Sequence, residues 1–391
     1  MRFRFPRSGR AWAGGAALLL LTAGVAARGW PATHRYLRAA SLLLRLQDPK
    51  THDPLAAIGT KSFDEIASTV ESPSGPVPAR LYTPRGVSAP PAMVVLHGVH
   101  HLGIEEPRLV AFARVLAGSG IEVLTPELRS LADYRVSSDD IAVIGAAAQW
   151  LHRRSGAKPG VLGLSFAGGL ALVAAADPRF AGDIGLVVAV GAHDDLERVC
   201  RYFATSRSVR PDGTTQELPA HEYGLLVLVY AHIGDFFSPA DADRARNILR
   251  LQLWEETDRA RALLAGLTPE GKARMQALLD HRTQALGLEV LSKLTQHAGE
   301  MAEVSPHGQL ARLRVPVLLL HGSGDSVIPA SETLWLASEI PAAGLRQVLI
   351  SPLITHVELG GQPGWRDKAA LVEFMAAMLR ETDALRVNSK E

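Results

Sequence analysis

Val161-Leu162-Gly163-Leu164-Ser165-Phe166-Ala167-Gly168-Gly169 joins a short apolar run to small residues that continue to Ala176. The apolar run reads as a strand buried on both faces, and Ala167–Ala176 as the helix that follows. Strand and helix can approach closely only where side chains are small, which Gly163 and Ala167 satisfy. So sharp a turn lifts Ser165 above the sheet edge. The helix N-terminus beside it favours negative charge developing there.

Outward from this turn the pattern repeats. Val77–Tyr82 alternates like a half-buried strand, and Ala92–Leu96 and Ile121–Leu124 are continuous apolar runs. Glu105–Leu116 and Asp139–Arg153 have helical spacing, the second with Ser137 or Ser138 as N-cap and acids in its first turn. Ile184–Val190 is again a buried strand. Alternating strands and helices predict an α/β fold with a mostly parallel sheet. The rhythm breaks at residue 193. Helical stretches at Asp241–Glu256, Pro269–Asp280 and Arg282–Ala298 follow, and the sheet pattern resumes at Val315–Leu320, Arg346–Ile350 and a last helix, Lys368–Leu379. The expected organisation is a core of residues 70–192 and 311–380, with residues 193–310 inserted as a helical cap.

A serine hydroxyl needs a base to take its proton. Two later positions answer that need. Asp325 follows the buried strand Val315–Leu320, within His321-Gly322-Ser323-Gly324-Asp325-Ser326-Val327-Ile328-Pro329. His356 follows the last strand, within Ile354-Thr355-His356-Val357-Glu358. Asp325 would orient the imidazole and leave its other nitrogen to accept the Ser165 proton. Asp194 and Asp195, after the strand ending at Val190, are the alternative acids. Val94-Val95-Leu96-His97-Gly98-Val99 supplies a fourth part. A strand ending in His-Gly resembles the oxyanion loop of α/β-hydrolases, which implies the amides of Val99 and Phe166 as donors to an oxyanion, with His97 and Gly98 supporting that loop.

In these motifs and their order, Ser then Asp then His, the chain resembles the α/β-hydrolase superfamily over residues 70 to 380. Arg80-Leu81-Tyr82-Thr83-Pro84 and the 321–329 block look closest to its dienelactone-hydrolase and prolyl-oligopeptidase-like branches. Dienelactone hydrolases use Cys where this chain has Ser165, so that substrate does not carry over. Nor does the chemistry of similar dehalogenases and epoxide hydrolases, which use Asp.

Composition narrows the partners. Residues 1–47 hold eight Arg and no acid, which leaves 33 basic residues against 40 acidic ones in the remainder. A mildly acidic body argues against nucleic acid. The uncharged run 11–27 is suited to a signal or membrane anchor, and His34–Leu46 reads as an amphipathic helix able to lie on a membrane. The protein is therefore expected to be membrane-anchored or exported. Cys200 is the sole cysteine, so no intramolecular disulfide forms. It is expected to be a buried small hydrophobe. His97, His100 and His101 lack a partnering carboxylate pattern, so no metal is expected, and no cofactor is required. The expected reaction is acyl transfer from an ester to water. The same parts would serve an amidase or peptidase, a thioesterase, an acyltransferase or a non-catalytic binding protein.

Overall fold

Short runs of Val, Leu, Ile and Ala hide both faces from water only at the centre of a covered sheet. The computed structural model describes residues 32–282, 284–354 and 364–386, so the 11–27 segment lies outside the described residues. The sheet contains β1 (Phe63–Ser72), β2 (Gly75–Pro84), β3 (Ala92–Leu96), β4 (Glu122–Pro126), β5 (Gly160–Leu164) and β6 (Leu186–Val190). A separate two-stranded hairpin, β7 (Arg207–Val209) and β8 (Thr215–Glu217), precedes the last two sheet strands, β9 (Val317–Gly322) and β10 (Leu345–Ser351). The eight strands lie in the order β1-β2-β4-β3-β5-β6-β9-β10. β2 runs antiparallel to β1 and β4, and the remaining pairs are parallel.

Alternation within the central strands feeds two cores. In β3, Ala92, Val94 and Leu96 join one core while Met93 and Val95 join the other. In β9, Val317 and Leu319 are separated from Leu318 and Leu320 in the same way. The chain's first helix, α1, spans residues 32–47, followed by α2 (Pro107–Gly118), α3 (Arg129–Ala132), α4 (Ser138–Ser155) and α5 (Phe166–Ala176). Residues of α4 and α5 build the first core, and residues of α1 and α2 the second.

Between β6 and β9 the chain leaves the sheet. It forms α6 (Leu196–Thr205), the hairpin, α7 (Glu222–Ala231), α8 (Ile233–Phe236), α9 (Ala242–Leu253), α10 (Thr257–Ala262), α11 (Pro269–Leu279), α12 (Gln284–Lys293) and α13 (Ala298–Glu303). After β9 come α14 (Ser331–Glu339) and, following β10, α15 (Trp365–Ala384), whose Phe374, Met378 and Leu379 enter the second core. The apolar stretch 224–233 falls mostly in α7, where Leu225, Leu226, Leu228 and Val229 are buried.

Two elements depart from the sequence reading. β1 precedes the point where the sheet pattern becomes visible. It is an edge strand paired only with β2, and of its residues Val70 alone is fully buried, so apolar alternation is weak. The β7–β8 hairpin has strands of three residues, too short for a periodic signal. Its turn carries Pro211-Asp212-Gly213, with Gly213 at φ +80°.

α1 packs on the domain. Ala39, Ser41 and Leu42 are fully buried, Arg38 pairs with Asp383 of α15 at 2.8 Å, and Arg45 donates to Ser119 at 2.8 Å. Among the described residues, no helix is long and apolar enough to cross a membrane.

The inserted helices are tied to the core through Tyr230, whose hydroxyl donates to Asp133 at 2.6 Å and accepts from Arg250 at 2.7 Å. Tyr230→Phe removes both bonds from a buried position. It is expected to cost about 1–3 kcal/mol, read from the urea unfolding midpoint. An unchanged midpoint would mean the contact carries no net stability.

Candidate active site

β5 and α5 meet at the Ser165 turn. A Cβ on Gly163 would overlap the Ala167 carbonyl, and one on Gly168 would lie 2.8 Å from the Ala192 Cβ. With helix and strand this close, the chain reverses within one residue, and Ser165 takes φ +56° and ψ −134°. L-residues seldom occupy that region, at a cost of about 1–3 kcal/mol. Neighbouring bonds hold it there. The Ser165 amide donates to the Val190 carbonyl at 2.8 Å, and the Gly168 amide to the Ser165 carbonyl at 2.9 Å.

The β3 loop lies directly against this turn. Leu96 pairs with Gly163 across the sheet, and a Cβ on Gly98 would lie 3.4 Å from that of Ser165. His97 is buried beneath. Its Nδ1 donates to the Gly98 carbonyl at 2.7 Å, and its Nε2 accepts from the Leu128 amide at 2.9 Å. Burial holds its pKa below the usual histidine value, so the ring is a neutral strut. The Val99 carbonyl accepts from the Tyr223 hydroxyl at 3.2 Å. Tyr223 was not legible as a site residue, because its partner is a backbone atom 124 residues away. Phe166 opens α5, where the first amides have no carbonyl partner within the helix. Val99 and Phe166 thus follow the ends of neighbouring strands.

Asp325 is fully buried beyond the end of β9. Its Oδ1 accepts from the amides of Val327 at 2.8 Å and Ile328 at 3.0 Å. Oδ2 stands 3.4 Å from His321 Nε2, which also lies 2.8 Å from the Ile328 carbonyl. Backbone amides thereby fix the carboxylate's orientation. His356 lies outside the described residues, as does Glu358.

The alternative acids are committed elsewhere. Asp195 caps α6, accepting from the amides of Glu197 and Arg198. Asp194 is fully buried and accepts from Arg198 at 2.7 Å, while Arg198 also reaches Glu332 at 2.6 Å. Glu332 in turn accepts from the amides of both aspartates at 3.0 Å. Burial pushes the Asp194 carboxyl up to about 7, against the opposing bond from Arg198.

A cavity of about 530 Å³ opens beside Ser165. Gly98, Val99 and His100 form part of its rim, and its walls are chiefly apolar, with Leu43 and Leu46 from α1, Phe112 from α2, and Leu371 and Met375 from α15. His101 stacks on His100 with ring centroids 4.7 Å apart and reaches the Tyr134 hydroxyl at 3.2 Å. Among the described residues, His97, His100 and His101 do not bring their nitrogens to a common point. Cys200 is buried, and burial pushes its thiol up to about 12.

Two outcomes follow. Ser165→Gly should be more stable than Ser165→Ala by about 1 kcal/mol or more, since glycine relieves the positive φ. Equal denaturation midpoints would refute the strain. The Asp194 carboxyl is held above its ordinary value of 3.8, so folding favours its protonated form. Its contribution is whole below pH 4 and declines as pH rises toward 7. The stability of Asp194→Asn relative to wild type should therefore climb between pH 4 and 7, then level off. A constant difference across that range would contradict the shift.

The chain matches no protein-family model and no curated protein. Among solved structures it is similar to an acylaminoacyl peptidase in complex with Z-Gly-Gly-Phe-chloromethyl ketone. That likeness has 13% identity and a TM-score of 0.46, covering 76% of this chain and 38% of that one. It is similar to puromycin hydrolase at 15% identity and a TM-score of 0.46, over 86% of this chain and 40% of that one. An esterase from Pyrobaculum calidifontis is similar at 18% identity and a TM-score of 0.45, over 89% of this chain and 91% of that one. The chain spans well under half the length of the first two. A serine at positive φ, where a central strand of a mostly parallel, helix-flanked sheet turns into its helix, is the arrangement of the α/β-hydrolase fold, and that is the fold of this chain.

Proposed function

We propose that this protein is a serine hydrolase that cleaves carboxylic esters with apolar acyl groups. The observation that carries the reading is the position of Ser165, strained at a strand-to-helix turn and opening onto an apolar cavity. Strain of this kind persists where surrounding structure overrides local preference, as it does at functional sites.

In this reading Ser165 Oγ attacks the ester carbonyl while His356 takes the hydroxyl proton. Asp325 orients the imidazole and stabilises its charged form. The amides of Val99 and Phe166 donate to the oxyanion. Collapse of the tetrahedral species breaks the bond to the alcohol, which leaves with the proton from His356. Water then attacks the acyl-enzyme with His356 again as base, the acid is released, and Ser165 recovers its proton. The inserted helices act as a cap over the sheet end. Residues 11–27 hold the enzyme at a membrane or direct its export.

p-Nitrophenyl esters of increasing acyl length test the reading. Wild type should gain roughly two- to fourfold in kcat/KM per added methylene until the cavity is filled, at about 0.8 kcal/mol per buried CH₂. Ser165→Ala and Asp325→Asn should each lower kcat about ten-thousand-fold. Wild-type-like turnover by folded Ser165→Ala would sink the proposal. Hydrolysis of matched anilides in preference to esters would move it to amidase chemistry.

A further inference from the structure

A second set of chemically capable side chains lies within the inserted helices. His232 follows the last turn of α7, and His297 immediately precedes α13, which contains Glu300. Their rings approach with centroids 3.8 Å apart, and ring nitrogens and carboxylate oxygens of the three residues lie within 4.8 Å of one another. His297 Nδ1 is 3.7 Å from the Glu300 carboxylate. All three side chains border a cavity of about 410 Å³, distinct from the one beside Ser165, with Phe166 in its wall.

The state of the His297 ring is set from behind. Its Nε2 lies 2.6 Å from Asp235 Oδ2. An ionised carboxylate only accepts, so Nε2 carries the hydrogen. In the neutral ring, Nδ1 then presents a lone pair toward Glu300. A histidine that donates one nitrogen to a carboxylate and offers the other is the usual arrangement behind a metal ligand.

We propose that His232, His297 and Glu300 form a binding site for a divalent transition metal of the zinc class, with Asp235 orienting His297. Two imidazoles and one carboxylate suit zinc, cobalt or nickel and are poor in oxygen for calcium or magnesium. Tetrahedral zinc brings its ligand atoms to roughly 3.4 Å from one another, given bond lengths of about 2.0–2.1 Å. Binding requires Glu300, whose side chain is largely exposed, to swing inward and the two close-packed rings to splay apart. Three protein ligands leave a fourth position for water. The ion would join the end of α7 to the start of α13, bracing one side of the second cavity. The other grouping of this kind among the described residues, Asp194, His307 and Glu339, already contains a cation, because Arg198 occupies Asp194.

The test uses the full-length chain, stripped with chelator and titrated with Zn²⁺ by calorimetry and with Co²⁺ by visible absorption. One ion per chain, with the strong visible bands of tetrahedral cobalt, is the expected result. His232→Ala and His297→Ala should each weaken binding at least a hundredfold, Asp235→Asn ten- to a hundredfold, and His307→Ala not at all. Circular dichroism in chelator checks that each variant is folded. Should either histidine variant fail to fold, the exposed Glu300→Gln replaces it and should weaken binding at least tenfold. Absence of binding at micromolar metal would overturn the proposal. So would unchanged affinity in the folded His232, His297 or Glu300 variants, or loss of binding in His307→Ala.

Discussion

The contact between Gly163 and the Ala167 carbonyl governs this structure. No Cβ fits there, so α5 sits against the end of β5 and the chain must turn back within Ser165. The turn is unfavourable by itself and survives because both flanking elements are buried on every side. β5 lies at the middle of the sheet, and every residue of α5 is buried. Core burial thus offsets local strain at Ser165. The same closeness extends to the β3 loop. A Cβ on Gly98 would lie 3.4 Å from that of Ser165, so the β3 loop and the turn leave little room for larger side chains between them.

Burying polar groups at this sheet end is tolerable where they have partners. His97 links the β3 loop to the Leu128 amide, and His321 links the end of β9 to Thr333 and Ile328. Glu332 accepts two backbone amides and two nitrogens of Arg198, which fixes the loop after β6. The inserted helices leave the core at that loop. Their root is therefore rigid even though much of the insertion is built from short helices. A charged cluster there is a costly device, since losing Arg198 would leave two buried carboxylates facing each other.

The central sheet was legible because β3, β5, β6 and β9 are apolar on both faces, a pattern few other structures produce. Ser165, Asp325 and the His97–Val99 loop could be located because each follows such a strand. β1 was not, since a strand paired on one side needs only Val70 buried, and its polar residues resemble a loop. The β7–β8 hairpin escaped for want of length. Tyr223 and the Arg198–Glu332–Asp194 cluster depend on contacts between residues more than a hundred positions apart, which no local pattern records. The His232–His297 pair is similar. Separated by 65 residues with no common spacing motif, it exists only through the packing of α7 and α8 against the 294–303 segment.

α1 shows how one amphipathic pattern can serve two masters. The spacing of Leu37, Leu43, Leu44 and Leu46 among arginines suits a membrane surface, yet this face is partly claimed by the protein. Ala39 and Leu42 are buried in the second core, while Arg38 and Arg45 bind α15 and the end of α2. Leu43 and Leu46 then become part of the wall of the cavity beside Ser165, opposite Leu371 and Met375 of α15. The cavity is consequently assembled from the two ends of the described chain, with the central sheet as its floor. Burial of Ala39 and Leu42 and the bonds of Arg38 and Arg45 together hold α1 against the domain, which places Leu43 and Leu46 in that wall. Arg38 and Arg45 thus make their bonds within the protein and help to shape the cavity beside Ser165.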